Sequence, residues 1–321
     1  MNNHLAHPQP DALRHDTRAS REVVRPEDIR LCVLLTCFNR KALTLACLRA
    51  LAASTGLDGV QLSAVLVDDA STDGTTEAVR AEFPWVTVVV GDGDLFWCRG
   101  MHLAFETALR TGYDSYLWLN DDTMLQANSV SRLLACQQAL CSDRASPIIV
   151  VGSTVDALTG QPTYGGERRP SRFRPLHVLP IHPVAVPQRC DSMAGNIVLI
   201  KSDAALRVGN LDAVFEHAMG DTDYALRAVK LGVELWMAEG IHGTCSHNTT
   251  LNTWRDSTLT LRERLAQLFS RKGVPWRSWL ALTRRHAGAL WPVYFVSPYF
   301  KVVVHAVLIQ FQAQLRSLLR R

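Results

Sequence analysis

The chain has 321 residues, 47% hydrophobic and 20% charged, which excludes a disordered polyelectrolyte and allows one large domain with appendages or two smaller ones. A formal net charge of +4, from 34 Lys and Arg against 30 Asp and Glu, is too small to argue for a nucleic-acid partner. The 8 cysteines form no CxxC pair, so they read as reduced thiols and not as a zinc site or a disulfide frame.

Residues 1–28 lack the apolar stretch of a secretory signal and read as a mobile arm, which leads to the expectation of a cytoplasmic protein. LCVLLTCFNR, Leu31 to Arg40, is an apolar run broken at Asn39, the pattern of a buried parallel strand. KALTLACLRALAAS follows with apolar residues at helical spacing. VQLSAVLVDDAS is a second buried strand, TDGTTEAVRAEF a turn and helix, WVTVVVGDGD a third strand, GMHLAFETALRTG a third helix and SYLWLNDD a fourth strand. This alternation predicts an α/β fold with a mostly parallel central sheet and flanking helices. After SVSRLLACQQAL the texture changes. PIIVVGSTVD reads as one more strand, and residues 160–188, rich in Arg, Pro and His, as an extended loop or hairpin. A short apolar piece, AGNIVLIKSDAALRVG, precedes GDTDYALRAVKLG, an acidic turn that continues as a helix.

Each polar cluster falls at the carboxyl end of a strand, the edge where open α/β sheets bind ligands. No GxGxxG follows the first strand and no GxxxxGK[ST] occurs anywhere, which weakens dinucleotide and P-loop readings. The strand ends offer carboxylates instead: Asp68 and Asp69 after the second strand, Asp121 and Asp122 after the fourth. Such pairs repel unless a cation or hydrogen-bond donors stand among them. An all-carboxylate set suits Mg²⁺ or Mn²⁺, which keeps water, bridges to substrate phosphates and helps a diphosphate leave. The bland alternative for Asn120-Asp121-Asp122 is a polar turn that stops a strand.

The strings TCFNR, VDDASTDGT, LWLNDDT and GDTDYALRA, in this order, resemble the inverting glycosyltransferases of family 2, which have a GT-A fold. GDGDLFWCRGMHLAFE and GDTDY are most similar to bacterial rhamnosyltransferase-like members that build surface polysaccharides. The resemblance covers residues 31–247 and implies a GT-A domain over 29–255. It places Thr36, Phe38, Asn39 and Arg40 around the base and ribose of a dTDP- or UDP-linked donor. Asp68 and Asp69 fall at the nucleobase, and Trp97, Arg99 and Gly100 near ribose and phosphates. Asn120-Asp121-Asp122 stands in the place of the DxD motif. Because Asn120 replaces the first acid, Asp122 becomes the direct metal ligand and Asp121 a partner of the ribose or a support for the metal. The same resemblance makes Asp221 the general base and Asp223 its support, and has His247, with His242 as fallback, complete the metal shell. Gly165, Gly166 and Ala194–Asn196 would shape the sugar pockets. Structural roles compete with these: Ser71 or Asp73 as a helix cap, Asp221 and Asp223 as a helix N-terminus, a histidine as packing.

Residues 256–321 read as a basic amphipathic helical region. GALWPVYFVSPYFKVVVHAVLI is long enough to raise a membrane span, but Pro292, Pro298, Lys301 and His305 count against a regular one. Its aromatic residues and flanking arginines suit helices in the membrane interface, attracted to anionic lipid headgroups at the cytoplasmic face. A packed helical subdomain or a homodimer surface is the other reading. The implied function is transfer of a sugar, rhamnose by the resemblance, to a saccharide or polyprenyl-linked acceptor. A nucleotidyltransferase would have a Gly- and Lys/Arg-rich loop after the first strand, and TCFNRKALT is not one. A catalytically silent sugar-binding protein would have no need of Asp122, Asp221 and His247 together.

Overall fold

Strand β1, Ile29–Cys37, is buried from Leu31 onward and pairs on both sides with strands of the same direction. The computed structural model describes residues 28–318 except 143, 172, 248 and 249, with side chains up to residue 304. The expected arm lies outside these residues, apart from Asp28. Helix α1, Lys41–Ala52, leads to β2, Val60–Asp68; α2, Thr75–Glu82, to β3, Val86–Val90; and α3, Phe96–Thr111, to β4, Ser115–Leu119. The order predicted for this half is the order observed. Register aligns Cys37 with Asp68 and Asp68 with Val90, so the carboxyl ends of β1, β2 and β3 form one edge. Side chains of β4 alternate between the faces, as a pleated strand requires. Tyr116 and Trp118 join Phe105, Met101 and Tyr224 on one face, while Leu117 and Leu119 join Leu35, Leu48 and Leu133 on the other.

The second half is more broken than its sequence suggests. It runs β5 (Met124–Leu125), α4 (Ser129–Ser142), β6 (Ile148–Val151), β7 (Thr154–Val155), β8 (Gly166–Arg168), β9 (Leu179–Pro180) and β10 (Gln188–Cys190). It continues with β11 (Ser192–Met193), β12 (Ile197–Lys201), α5 (Ser202–Val208), α6 (Gly220–Lys230), β13 (Glu234–Met237) and β14 (Gly243–Thr244). The expected single strand PIIVVGSTVD is two strands in different sheets. Its break is at Gly152, where an added Cβ would lie 2.7 Å from Ile197 Cγ2. The eight-stranded sheet has the order β10-β13-β6-β12-β4-β1-β2-β3, with β12 antiparallel between β4 and β6. The Arg-, Pro- and His-rich segment supplies β8 and β9, which join β11 in a small separate sheet.

Helices α7 (Leu261–Phe269), α8 (Trp276–His286) and α9 (Trp291–Leu318) close the chain. Helix α8 is part of the core, with Leu282 buried and Ser278 Oγ donating to the Val214 carbonyl at 3.0 Å. Helix α8 thus packs against the core of the sheet domain. Among the described residues no helix is long and apolar enough to cross a membrane.

Asp223 ties α6 to this region. Its carboxylate is fully buried and accepts from Arg227 Nε at 2.8 Å, Arg285 Nη1 at 3.2 Å and His286 Nε2 at 2.9 Å. Burial alone would raise its pKa, but His286, Arg227 and Arg285 outweigh burial and hold it below the usual carboxylate range. Removing one partner of such a buried group costs about 3–5 kcal/mol. Asp223→Asn should therefore lower the thermal unfolding midpoint clearly. Because the folded pKa is depressed, the stabilisation is present above the ordinary carboxylate range and is lost as pH falls through the folded value. Thermal scans of both proteins should converge in acid.

Candidate active site

The loops after β1, β2 and β3 are pinned to each other by the polar residues that end the strands. The Asn39 N–H donates to Ser71 Oγ at 2.8 Å, and Asn39 Oδ1 accepts from the Thr72 N–H at 2.8 Å. Asp68 accepts from the Ser71 N–H at 3.0 Å and from the Thr76 hydroxyl. Asp69 accepts from the backbone N–H groups of Gly93, Leu95 and Phe96 at 2.8, 3.0 and 3.0 Å. Both acids thus shape the loops at this edge, with their oxygens engaged by the protein itself. Asp73, one residue before the Gly74 N-cap of α2, takes the Thr75 and Lys41 N–H groups, while Ser71 serves Asn39 and does not cap. Asn39, Ala70, Phe96 and Met219 all have left-handed backbone, four of the five non-glycine residues described in that region. Concentrated strain of this kind marks a site whose geometry is imposed by its surroundings.

β4 delivers Asn120, Asp121 and Asp122 beside the end of β1. There the Arg40 guanidinium spans both carboxylates, Nη1 to Asp121 Oδ1 at 2.9 Å and Nη2 to Asp122 Oδ2 at 2.8 Å. Asp121 is only 5% exposed, and burial pushes it up to about 7, opposed by Arg40 and reinforced by Asp122. Thr44 Oγ1 donates weakly to its other oxygen at 3.4 Å. Sequence reasoning placed Arg40 at base and ribose and saw no cation among these acids. The pairing of β1 with β4 supplies one.

Trp97 Nε1 donates to Asn120 Oδ1 at 2.7 Å. Gly100 packs on Thr36, where a Cβ would lie 2.2 Å from Oγ1, so both act in seating α3 on β1. Arg99 donates to the Ala213 carbonyl at 3.0 Å and pairs with Glu216 at 3.5 Å. Phe38 stands free at the rim, 49% exposed. Gly195 lies between Trp97 and Asp221, since a Cβ there would come within 2.7 Å of the indole and 3.3 Å of Asp221 Cβ. Asp221 Oδ2 accepts from the Gly195 N–H at 3.1 Å and Oδ1 from the Thr222 N–H at 2.8 Å. Burial raises its pKa above the ordinary value. The N-cap of α6 is Met219, so neither Asp221 nor Asp223 caps that helix.

This edge of strained loops, with a deep carboxylate opposite a paired acidic strand end, coincides with a match to the family model "Glycosyl transferase family 2" over residues 32–192, half of the chain. The chain belongs to glycosyltransferase family 2. It is thus a glycosyltransferase, acting on a nucleotide-sugar donor. The mannosyltransferase PcManGT from Pyrobaculum calidifontis, solved with GDP-Man and Mn²⁺, is 18% identical with TM-score 0.51, over 89% of this chain and 76% of that one. GalNAc-T7, solved with UDP, GalNAc and Mn²⁺, is 14% identical with TM-score 0.56, over 85% of this chain and 55% of that one. TarS from S. aureus is 11% identical with TM-score 0.48, over 80% of this chain but only 42% of its own. At these identities the likeness of the first two speaks for the GT-A fold. No curated protein matches the chain significantly.

Within this family 2 enzyme the expected histidine ligands differ in setting. His242 is sealed in the interior, pushed down to about 3 by burial, with Nδ1 facing the Ser153 N–H. His247 is exposed and edges against the Tyr164 ring at 5.0 Å. Among the described residues no three His, Cys, Asp or Glu side chains gather around one point. His217 was missed by sequence reasoning. Burial, Lys272 and Arg40 push it down to about 4, so it is neutral beside the Phe96 ring. Arg271 from the C-terminal region lies over Phe96 at 4.8 Å and pairs with Asp94 and with Glu216, the latter at 2.8 Å.

Arg40 is the group that keeps Asp121 from rising further. Arg40→Met should lift the Asp121 titration above its value of about 7, because loss of an adjacent cation disfavours the charged carboxylate. Carboxyl-resolved NMR titration of the two proteins reads this directly; coincident curves would refute it.

Proposed function

We propose that this glycosyltransferase inverts the anomeric centre, with Asp221 as general base. The donor is a dTDP- or UDP-linked sugar, rhamnose by the sequence resemblance, and the acceptor a saccharide or polyprenyl-linked chain of a surface polysaccharide. The observation that carries this reading is the setting of Asp221. Its two oxygens are aimed by the Gly195 and Thr222 N–H groups, and Gly195 alone separates it from Trp97, which is bonded to the Asn120 that precedes the acidic pair. A base on one side and a leaving diphosphate on the other is what a single displacement needs. The acceptor oxygen bonds to the anomeric carbon, its proton passes to Asp221, and the bond to the diphosphate oxygen breaks with its electron pair. Arg40 places a fixed positive charge among the strand ends where the diphosphate departs. Asp223, held by Arg227, Arg285 and His286, positions α6 and does not touch substrate.

A divalent ion fits the donor set at Asp122. This carboxylate is partly exposed, and Mg²⁺ or Mn²⁺ binds through one or two carboxylates plus phosphate oxygens and water. The ion would polarise the diphosphate. Cys245 Sγ touches Asp122 Oδ1 at 3.5 Å, and His247, two residues later, would serve as the nitrogen ligand. The solved complexes of PcManGT and GalNAc-T7 contain Mn²⁺, which supports the same choice here.

Association with a membrane surface rests on α9. Val293, Val296, Phe300 and Val303 recur on one face and are exposed, while Arg284 stacks on Trp291 and Arg277 on Trp276 at the same end of the chain. An apolar helix face beside cations suits an anionic cytoplasmic lipid surface.

Asp221→Asn should reduce turnover about 10²- to 10⁴-fold, with donor affinity near wild type. A nearly active variant would place the base elsewhere. Wild-type kcat/KM should fall as acid protonates Asp221, at a pH above the usual carboxylate range because its pKa is raised.

Chelation should stop turnover and Mg²⁺ or Mn²⁺ restore it, and Asp122→Ala should weaken nucleotide-diphosphate binding measured with metal. Full activity in chelator would remove the ion from the mechanism.

For the membrane reading, Val296→Asp with Phe300→Asp should abolish sedimentation with anionic vesicles. A wild type that ignores vesicles and is dimeric in solution would make this face a homodimer surface.

A further inference from the structure

Arg40 and a divalent ion compete for Asp122. The carboxylate already has both oxygens engaged: Oδ2 accepts from Arg40 Nη2 at 2.8 Å, and Oδ1 from the Cys245 thiol at 3.5 Å. An ion bound to Asp122 would lie about 2 Å from one of these oxygens. The guanidinium would then stand about 4–5 Å from it, a distance at which two cations repel strongly.

The Arg40 side chain is free to let go while its backbone stays in place. The Arg40 carbonyl accepts from the Thr44 N–H at 2.9 Å and the Thr44 hydroxyl at 3.1 Å, and the preceding Asn39 is pinned to Ser71 and Thr72. The guanidinium is 42% exposed and, among the described residues, hydrogen-bonds only to the acidic pair. Its two bonds are unequal. Asp121 is nearly sealed from solvent, and a buried carboxylate stripped of its cation is costly, so this bond is the one to keep. The Asp122 side chain is 23% exposed, within reach of water and solutes. Arg40 and Lys272 are also the charges that help hold His217 neutral, and His217 Nδ1 is out of solvent with no partner among the described residues. Positive charge thus gathers beside the acids, which favours a polyanion there.

We propose that Arg40 is an exchange latch: Nη1 stays on Asp121 while Nη2 leaves Asp122 for a phosphate oxygen of the donor diphosphate, which frees Asp122 for the ion. This rests on Asp122 being the metal-binding acid. Until a diphosphate arrives to receive the guanidinium, Arg40 keeps divalent cations off the acidic pair. Once it arrives, ion and donor each strengthen the binding of the other. Arginine suits the task because its planar fork bonds a carboxylate along one edge and a phosphate along another.

The test is a linkage measurement on full-length wild type, Arg40→Met, Arg40→Gln and Arg40→Lys, each checked for a cooperative thermal transition. Mn²⁺ binding is read from the EPR signal of the free ion, alone and with UDP, dTDP or GDP, and nucleotide binding by calorimetry in EDTA. Wild type should hold Mn²⁺ alone about tenfold or more weakly than with the nucleotide that binds best. Arg40→Met and Arg40→Gln should hold Mn²⁺ alone about tenfold more tightly than wild type does. In EDTA they should hold the nucleotide about tenfold more weakly, the worth of one charge-assisted hydrogen bond. Arg40→Lys, which keeps the charge, should still bind Mn²⁺ alone weakly. Arg40→Gln can bond Asp121 and carries the test if Arg40→Met does not fold. Unchanged Mn²⁺ affinity in the neutral variants overturns the latch, and so does unchanged nucleotide affinity in EDTA. A wild type that takes up no Mn²⁺ with any of the nucleotides defeats the reading of Asp122 as metal ligand, and this one with it.

Discussion

Two like charges at the end of a buried strand are the constraint that the rest of this structure answers. Asp121 and Asp122 leave β4 next to the end of β1, and their mutual repulsion is met by the one guanidinium that can reach both. For Arg40 to lie there, β1 must neighbour β4, and the turn at Asn39 must adopt left-handed backbone. That turn is in turn held by Ser71 and Thr72 from the loop after β2, which Asp68 fixes from below. The edge of the sheet is therefore a chain of dependent hydrogen bonds that ends at the acidic pair. Its electrostatics explain why a buried acid such as Asp121 can sit near neutrality: removed from water, it is held ionisable chiefly by its neighbour's positive charge, with help from the Thr44 hydroxyl.

The first half of the fold was legible because its strands are apolar on both faces and alternate with amphipathic helices, a pattern with one economical solution. The second half was not, for physical reasons that particular residues show. Gly152 breaks an apolar run that reads as one strand, because a neighbouring isoleucine occupies the space a side chain would need. Strands of two or three residues such as β7, β8 and β11 carry too few positions to display a period. At the site, Asp221 and the acidic pair were legible by type and position. Asp68, Asp69 and Asp223 were visible as acids, but Asp69 is held by Gly93, Leu95 and Phe96 and Asp223 by Arg285 and His286, far away in sequence, so a local motif could not tell a brace from a ligand contact. Arg40 was obscured in the same way: it acquires its meaning from the end of a strand brought alongside only by folding.

The C-terminal helices show how a peripheral element becomes part of a catalytic domain. Asp223 stands two residues beyond the proposed base, on the same helix, and accepts from Arg285 and His286 of α8. The orientation of α6, and with it the aim of Asp221, depends on a segment that the sequence presents as an appendage. The outer face of α9 has no comparable duty within the fold, which leaves it free for a surface.

Arg271 carries this coupling to the loop after β3. It lies across Phe96, a strained residue whose backbone N–H is held by Asp69, and it grips Asp94 in the same loop as well as Glu216 on the way to α6. A single side chain from the region behind α7 therefore clasps the loop after β3 and the segment that leads to α6 at once. A protein shortened before Arg271 would lose more than its last two helices. It would be a lock with the hasp removed, its two halves still shaped for their substrates but no longer obliged to keep a common spacing.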